Sequence, residues 1–571
     1  MNEFKRQAAE SLFQRLSEFG LQLHEVEEMM EIPPEIHMGD YAFPCFRLAK
    51  ILRKSPLIIA QELAQSVEKP NIFSRVIHVG GYVNYYFNRK TLAEKMISTV
   101  LKEKNEFGKA DIGADKTICI DFSAPNIAKP FHVGHLRSTV IGNALYNIYQ
   151  HLGFRCVGIN HLGDWGTQFG KVIVAYHYWG SREQVEAEPI KTLLDLYVMF
   201  HDQAESNPSL EDEAREWFVK MEQGDRQALS LWRWFSDETI KELKKIYQLL
   251  GVRFDHYTGE SFYNDKMDEV LKELKEKDLL EESQGAILVN LEAYDMPPCL
   301  VQKKDGSTLY ATRDIAAAFY RKKTFDFHQC LYLTDYSQKL HFAQWIKVVE
   351  LMGYEWSNDL IHLPFGRVTH EGKRIQSRKG TVVLLEDVLN GAIQRVTSII
   401  EEKNPTLEDK DNIAVEVGVG AVIFNDLSNN RLKDVSFSWD TAFSFEGETG
   451  PYVQYTHARA CSVLRKAELV NDLETIEFNG DSLSDDVSYL VIRKIEQFQS
   501  VLIDAQKKNE PSLLTRHIID LAQAFNRFYH DHPVLNADKE ERNARLVLVD
   551  ATRQVLRTGL SILGIRSPEK M

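Results

Sequence analysis

The sequence predicts an α/β protein: a Rossmann-like parallel-sheet domain flanked by an α/β N-terminal appendage and an all-α C-terminal bundle. Thr117-Ile-Cys-Ile-Asp-Phe122 is β-branched and apolar, as a buried parallel strand would be. Leu136, Val140, Leu145, Ile148 and Leu152 then recur near helical spacing, Gly153 supplies a stop, and Arg155–Asn160 resumes strand character, so the stretch reads as a βαβ unit. Leu331-Tyr-Leu-Thr-Asp335 is another strand of the buried type, and beyond about residue 395 the pattern stays helical to the end. At 571 residues the chain exceeds one core, and the expected division is 1–112, then 113–395 with a helical insertion at about 181–285, then 396–571.

Taken in order, the first region holds helix patterns, a Pro33-Pro34 break, Gly39-Asp-Tyr-Ala42 and the strand-like Gly80-Gly-Tyr-Val-Asn-Tyr-Tyr-Phe87. Pro125 ends the pairing of the Thr117 strand and opens a polar loop. The insertion is charged and helix-rich, with Trp217, Trp232 and Trp234 as packing anchors. Asp305-Gly306 is a hairpin-turn signal, after which Leu309–Asp314 opens a helix.

Composition sets limits without pointing to a function. With 44% hydrophobic and 26% charged residues the chain matches soluble globular proteins. Cysteines 45, 119, 156, 299, 330 and 461 are scattered with no Cys-x-x-Cys, which argues against a zinc ribbon or a disulfide framework and fits a reducing cytoplasm. No apolar signal core or membrane-length run is present, so the expectation is a cytoplasmic protein without a membrane partner. A net charge of −15 argues against a protein coated in nucleic acid, although Arg47, Lys50, Arg53 and Lys54 fall on one helical face and Arg542, Arg545, Arg553 and Arg557 recur near the end. Either set fits a phosphate-binding stripe or a solvated helix face.

The chemistry concentrates at His132-Val-Gly-His135. A helix entered from a parallel strand points its free N–H groups and positive dipole end toward the carboxyl edge of the sheet, where phosphates bind. Imidazoles there can donate to phosphate oxygens, and Gly134 leaves room for a flat base, which together read as a nucleotide-activating site. A bare His-x-Gly-His equally describes an ordinary helix cap. Tyr310 and Asp314 lie four apart on one helical face, and a carboxylate beside a phenol suits a planar guanidinium, with Gln338 adding an amide oxygen. Read alone, Asp314 is also an ordinary surface carboxylate.

Asp121-Phe-Ser-Ala-Pro-Asn-Ile-Ala-Lys-Pro-Phe-His-Val-Gly-His-Leu-Arg-Ser-Thr139 resembles the signature of class I aminoacyl-tRNA synthetases, and its Asn126–Phe131 portion resembles the arginyl-tRNA synthetase family. The resemblance extends over essentially the whole chain. It implies ATP-dependent ligation of arginine to tRNA(Arg) through an adenylate, with Mg²⁺ on the phosphates and tRNA required for the first step. It places Lys129, His132, Gly134 and His135 at ATP, Asp121, Asn126 and His135 at the amino acid's ammonium and carboxylate, and Tyr310, Asp314 and Gln338 at its side chain. The family's Lys-Met-Ser-Lys-Ser loop is degraded to Arg374-Ile-Gln-Ser377-Arg378, followed by Lys379-Gly380, and Lys129 is the implied substitute for a missing lysine. Gly163-Asp-Trp-Gly166 matches a further landmark that shapes the site floor.

For tRNA, the resemblance implies D-loop contact by Asn84 and Phe87 and anticodon contact by Tyr452, Tyr455, Arg459 and Met571, besides the acceptor end at the active site. Asn84 also fits a strand end, and Phe87 and the tyrosines also fit core packing. Pro533 stands where a relative has an aromatic residue near the anticodon. No residues are assigned to a metal, and a monomer is expected. A class I synthetase for another amino acid and a non-catalytic tRNA-binding paralogue stand as alternatives; the intact Asn126, Lys129, His132 and His135 speak against the second.

Overall fold

The computed structural model describes residues 3–127, 131–303, 310–370, 373–374, 384–437, 444, 447–468, 473 and 476–571. The N-terminal region folds β1 (Tyr41–Pro44), β2 (Phe73–Val79) and β3 (Tyr82–Phe87) into an antiparallel sheet of order β1-β3-β2. Its helix Glu3–Leu16 buries Phe4, Ala8, Leu12 and Leu16 at the helical period, which fixes the face it turns to the sheet.

The central sheet contains β4 (Thr117–Asp121), β5 (Arg155–Asn160) and β6 (His256–Tyr257). After a small antiparallel sheet of β7 (Glu281–Ser283), β8 (Ala286–Val289) and β9 (Cys299–Gln302), β10 (Gln329–Asp335) and β11 (Leu360–Phe365) complete it. All five strands pair in parallel in the order β11-β10-β4-β5-β6. Every residue of β4 is buried, as a strand covered on both faces requires. The chain leaves β4 toward β5 on one side and later returns to place β10 on the other. A crevice therefore opens at the carboxyl ends of β4 and β10, the topological switch point of the sheet.

The helix Val133–His151 crosses from β4 to β5 and buries the apolar positions read from its spacing, with Leu152 as its buried C-cap. The run of helices from Arg182 ends at Leu250; His256–Tyr257 then joins the main sheet, and one more helix, Met267–Glu276, follows before β7. The chain is not wholly helical after 395. A short extended run, β14 (Val435–Phe437), pairs in parallel with β12 (Val368–His370), which also pairs with β13 (Lys373–Arg374). The helices Gly450–Lys466, Asp486–Lys508, Ser512–Asp531 and Lys539–Ile562 form the C-terminal bundle.

Neither basic cluster is the continuous stripe expected. The helix Phe46–Leu52 stops before Arg53, which is left-handed (φ 51°), and Lys54 turns back to Glu62. Arg545 is spent on Glu541 and the Pro533 carbonyl, and Arg553 on Asp550, because both guanidinium groups are largely buried and need partners.

Candidate active site

The loop after β4 begins with Ser123 and Ala124 in left-handed conformation (φ 71° and 45°), a strained pair for residues with side chains. Its surroundings over-determine it. The Ser123 amide donates to Ser138 Oγ at 2.8 Å, Thr139 Oγ1 donates to Ser123 Oγ at 2.8 Å, and Ser138 Oγ donates on to the Leu333 carbonyl of β10 at 3.2 Å. Asn126 forms a backbone bridge with Gly163, so the Gly163–Gly166 landmark is a second loop paired against the first. Asp164 ties that loop down by accepting from the Ser261 amide (2.8 Å) and hydroxyl (2.7 Å). A cavity of about 500 Å³ lies at the switch point, bordered by Asn126, His132, His135, Thr334, Gln338 and Arg367.

The two signature histidines form a reciprocal cap. The Gly134 amide donates to His132 Nδ1 at 3.0 Å, and the His132 amide donates to His135 Nδ1 at 3.2 Å. With Nδ1 accepting in both rings, the neutral imidazoles carry their proton on Nε2. Burial lowers the pKa of His132, which favours that neutral form. The cap and the donor pair are one arrangement: the helix start fixes the tautomers as well as the ring positions. Gly134 lines the cavity, and a Cβ there would meet the His132 ring at 2.7 Å, so the glycine also lets that imidazole fold over the helix start.

At the carboxyl end of β4, Asp121 already has a cation. Arg321 Nη2 lies 2.7 Å from Asp121 Oδ2, with the guanidinium 1% exposed. Asp121 therefore keeps one oxygen uncommitted to that pair. Asp314 sits on the helix Tyr310–Phe325 and accepts from His341 Nε2 at 2.6 Å. Tyr310 at the start of this helix is 64% exposed, and Gln338 borders the cavity. Arg321 was not singled out in the sequence, although it follows Tyr310 and Asp314 at helical spacing. Asp335, at the end of β10, pairs with Arg367 Nε at 3.3 Å; although burial opposes ionisation, hydrogen bonds from Ser337 and Arg367 hold its carboxyl below the usual range.

Lys129, Ser377 and Arg378 lie outside the described residues, as do Asp305-Gly306 and the side chain of Arg374. Both flanks of the degraded loop are nevertheless placed beside the cavity. Val368, which begins β12, lines it, and at the other flank Leu384 bridges antiparallel to His132.

In the N-terminal domain, Asn84 and Phe87 do not present their side chains to solvent. Asn84 is 4% exposed and donates to the Met38 carbonyl, while Phe87 is 3% exposed and stacks on Phe73 at 5.0 Å. Alternation along β3 turns neither outward, because this central strand is covered on both faces. In the C-terminal bundle, Tyr455 is 39% exposed, and the Arg459 guanidinium lies 4.9 Å from its ring centre and 5.6 Å from that of Tyr529. Tyr529, also 39% exposed, is an aromatic face that the sequence reading missed. Tyr452 is partly buried and accepts from Asn526, and Met571 packs partly buried against the core.

Three family profiles match the chain: the arginyl tRNA synthetase N-terminal domain over residues 6–87, tRNA synthetases class I (R), catalytic domain, over 96–439, and the DALR anticodon binding domain over 453–571. The chain is 65% identical to the arginine–tRNA ligase of Alkaliphilus metalliredigens and 54% identical to that of Clostridioides difficile, in each case over the full length of both proteins. Its structure is similar to Thermus thermophilus arginyl-tRNA synthetase, with a TM-score of 0.83 at 25% identity, covering 99% of this chain and 100% of that one. The chain belongs to the arginyl-tRNA synthetase family of class I aminoacyl-tRNA synthetases.

Proposed function

We propose that the protein joins L-arginine to tRNA(Arg) in two steps at the switch-point cavity. The arginine carboxylate attacks the α-phosphorus of ATP, giving arginyl-adenylate and pyrophosphate. A hydroxyl of the terminal ribose of tRNA then attacks the arginyl carbonyl, and AMP leaves. The observation that carries the reading is the pair of Nε2–H donors of His132 and His135, locked by their cap beside the cavity. Preorganised donors stabilise charge developing on phosphate oxygens more than they stabilise the bound substrate. Catalysis is then positioning and electrostatics, with no protein nucleophile. Magnesium, as the counter-ion of ATP, supplies charge neutralisation when bound. Lys129 is assigned to the phosphates, with Arg374, Ser377 and Arg378 in the loop beside them.

At the amino-acid end, Asp121 and Asn126 take the ammonium and carboxylate, while Tyr310, Asp314 and Gln338 take the guanidinium. On the bundle, Tyr455, Arg459 and Tyr529 form a stacking face for unpaired anticodon bases, with Tyr452 and Met571 alongside. D-loop contact is assigned to the N-terminal domain at Asn84 and Phe87 and the surface around them. The protein acts as a cytoplasmic monomer, and tRNA must be bound before arginine is activated, which suits a phosphate loop short of lysines. Pyrophosphate exchange tests the last point: exchange that appears only with tRNA supports it, and efficient exchange without tRNA overturns it.

A further inference from the structure

Arginine presents a recognition problem that amino acids with neutral side chains do not: it carries a cation at each end, so a site with two carboxylates can bind it in either direction. The site has two such carboxylates, Asp121 at the end of β4 and Asp314 on the helix Tyr310–Phe325. They are engaged differently. Asp314 accepts from His341, a side chain that becomes neutral by losing a proton. Asp121 is held at 2.7 Å by Arg321, whose charge is permanent.

The geometry makes this cation part of the same recognition surface. Tyr310, Asp314 and Arg321 stand at i, i+4 and i+11, directions within about 40° of one another around a helix. One helix face therefore carries both the residues that would read a substrate guanidinium and a resident guanidinium tied to the sheet. Tyr332, the register neighbour of Asp121 on β10, lies under Arg321, with its ring centre 5.3 Å from the guanidinium carbon. Tyr263, Cys119, Cys330 and His161 are other titratable groups close to the pair among the described residues, and none supplies it with a permanent charge.

We propose that Arg321 is a positioning residue that sets the direction in which arginine lies. It occupies one oxygen of Asp121, which leaves that carboxylate fit for a compact ammonium and unfit for the two-pronged grip a guanidinium prefers. Its charge also repels a second guanidinium, directing the substrate's toward Asp314. This rests on the arginine reading of the site above.

The test compares wild type with R321K and R321Q, measuring tRNA charging at varied arginine and ATP across pH 5.5–8.5, with thermal melts as a control. Wild type must first charge arginine; if it does not, the functional reading fails before the proposal is reached. In R321Q the KM for arginine rises about tenfold or more while the KM for ATP stays within about twofold, because a buried carboxylate that loses its counter-charge is harder to ionise. For the same reason the acid limb of kcat/KM for arginine moves to higher pH than in wild type. R321K, which keeps the charge, returns the limb to its wild-type position. Should R321Q not fold, D121N/R321Q removes both charges and is expected to fold with a raised KM for arginine. The proposal is overturned by an unchanged KM and acid limb in R321Q, by equal losses toward ATP and arginine at every pH, or by a wild-type KM in D121N/R321Q.

Discussion

Asp40, in the N-terminal domain, and Arg493, in the C-terminal bundle, form a 3.0 Å ion pair with side chains only 6% and 7% exposed. Arg493 also pairs with Glu496, Tyr489 donates to Asp40 and Tyr41 donates to Glu496, so the network closes across the two domains. Two regions more than four hundred residues apart in sequence are thereby joined. Replacing Arg493 with Met strands two buried carboxylates and is expected to cost about 3–5 kcal/mol of stability. Urea unfolding checks this, and a loss below about 1 kcal/mol would show that the network relaxes or is wet.

Asp314→Asn keeps the shape of the pocket and removes the charge that matches a guanidinium. The kcat/KM for arginine should fall about a hundredfold or more, with the KM for ATP little changed. Steady-state charging assays read this directly, and near-normal activity would exclude the Tyr310–Asp314 pocket.

Much of this was legible in the sequence, and the failures have physical causes. The βαβ unit around His132 was clear because β4 is mostly apolar and the following helix repeats apolar residues near helical spacing. The burial of Asn84 and Phe87 was not legible, because alternation does not tell which faces of a strand are covered. Arg321 was overlooked because a charged residue within a helix normally faces water. Only the fold shows that its face of the helix turns onto Asp121. The packing of the His132 ring against Gly134 is likewise visible only in the fold.

His132→Ala removes one cap partner and one Nε2–H donor. The expected loss in the rate of adenylate formation is about 10²–10³, the range for deleting one preorganised donor. Single-turnover pyrophosphate release separates this chemical step from arginine binding, which should change little.

Buried histidines set an acid limit on stability. Burial pushes His457 and His517 down to about 4, so each is neutral in the folded protein where the unfolded chain is already protonated. The unfolded state therefore binds more protons between about pH 6.5 and 4, and stability, full above that window, falls as pH drops through it. Each histidine contributes at most about 3 kcal/mol to the loss. Chemical denaturation at several pH values checks the sign, and H517Q should flatten part of the slope.

Arg431 joins three parts of the molecule. Its Nη1 donates to the Pro364 carbonyl at the end of β11 (2.7 Å), its Nε donates to the Asn509 carbonyl in the bundle (3.1 Å), and its own carbonyl accepts from Gly366, just before β12 (2.8 Å). Arg431→Met should lower kcat for charging about tenfold through the misplaced loop flank, since small displacements in a positioned site carry large rate costs. Affinity for tRNA, measured by filter binding, should hold.

The most direct test is charging of total tRNA by the purified protein with ATP and each amino acid in turn. The structure-based account predicts charging with arginine alone. Charging with a different amino acid, or tRNA binding without charging by any, would contradict it.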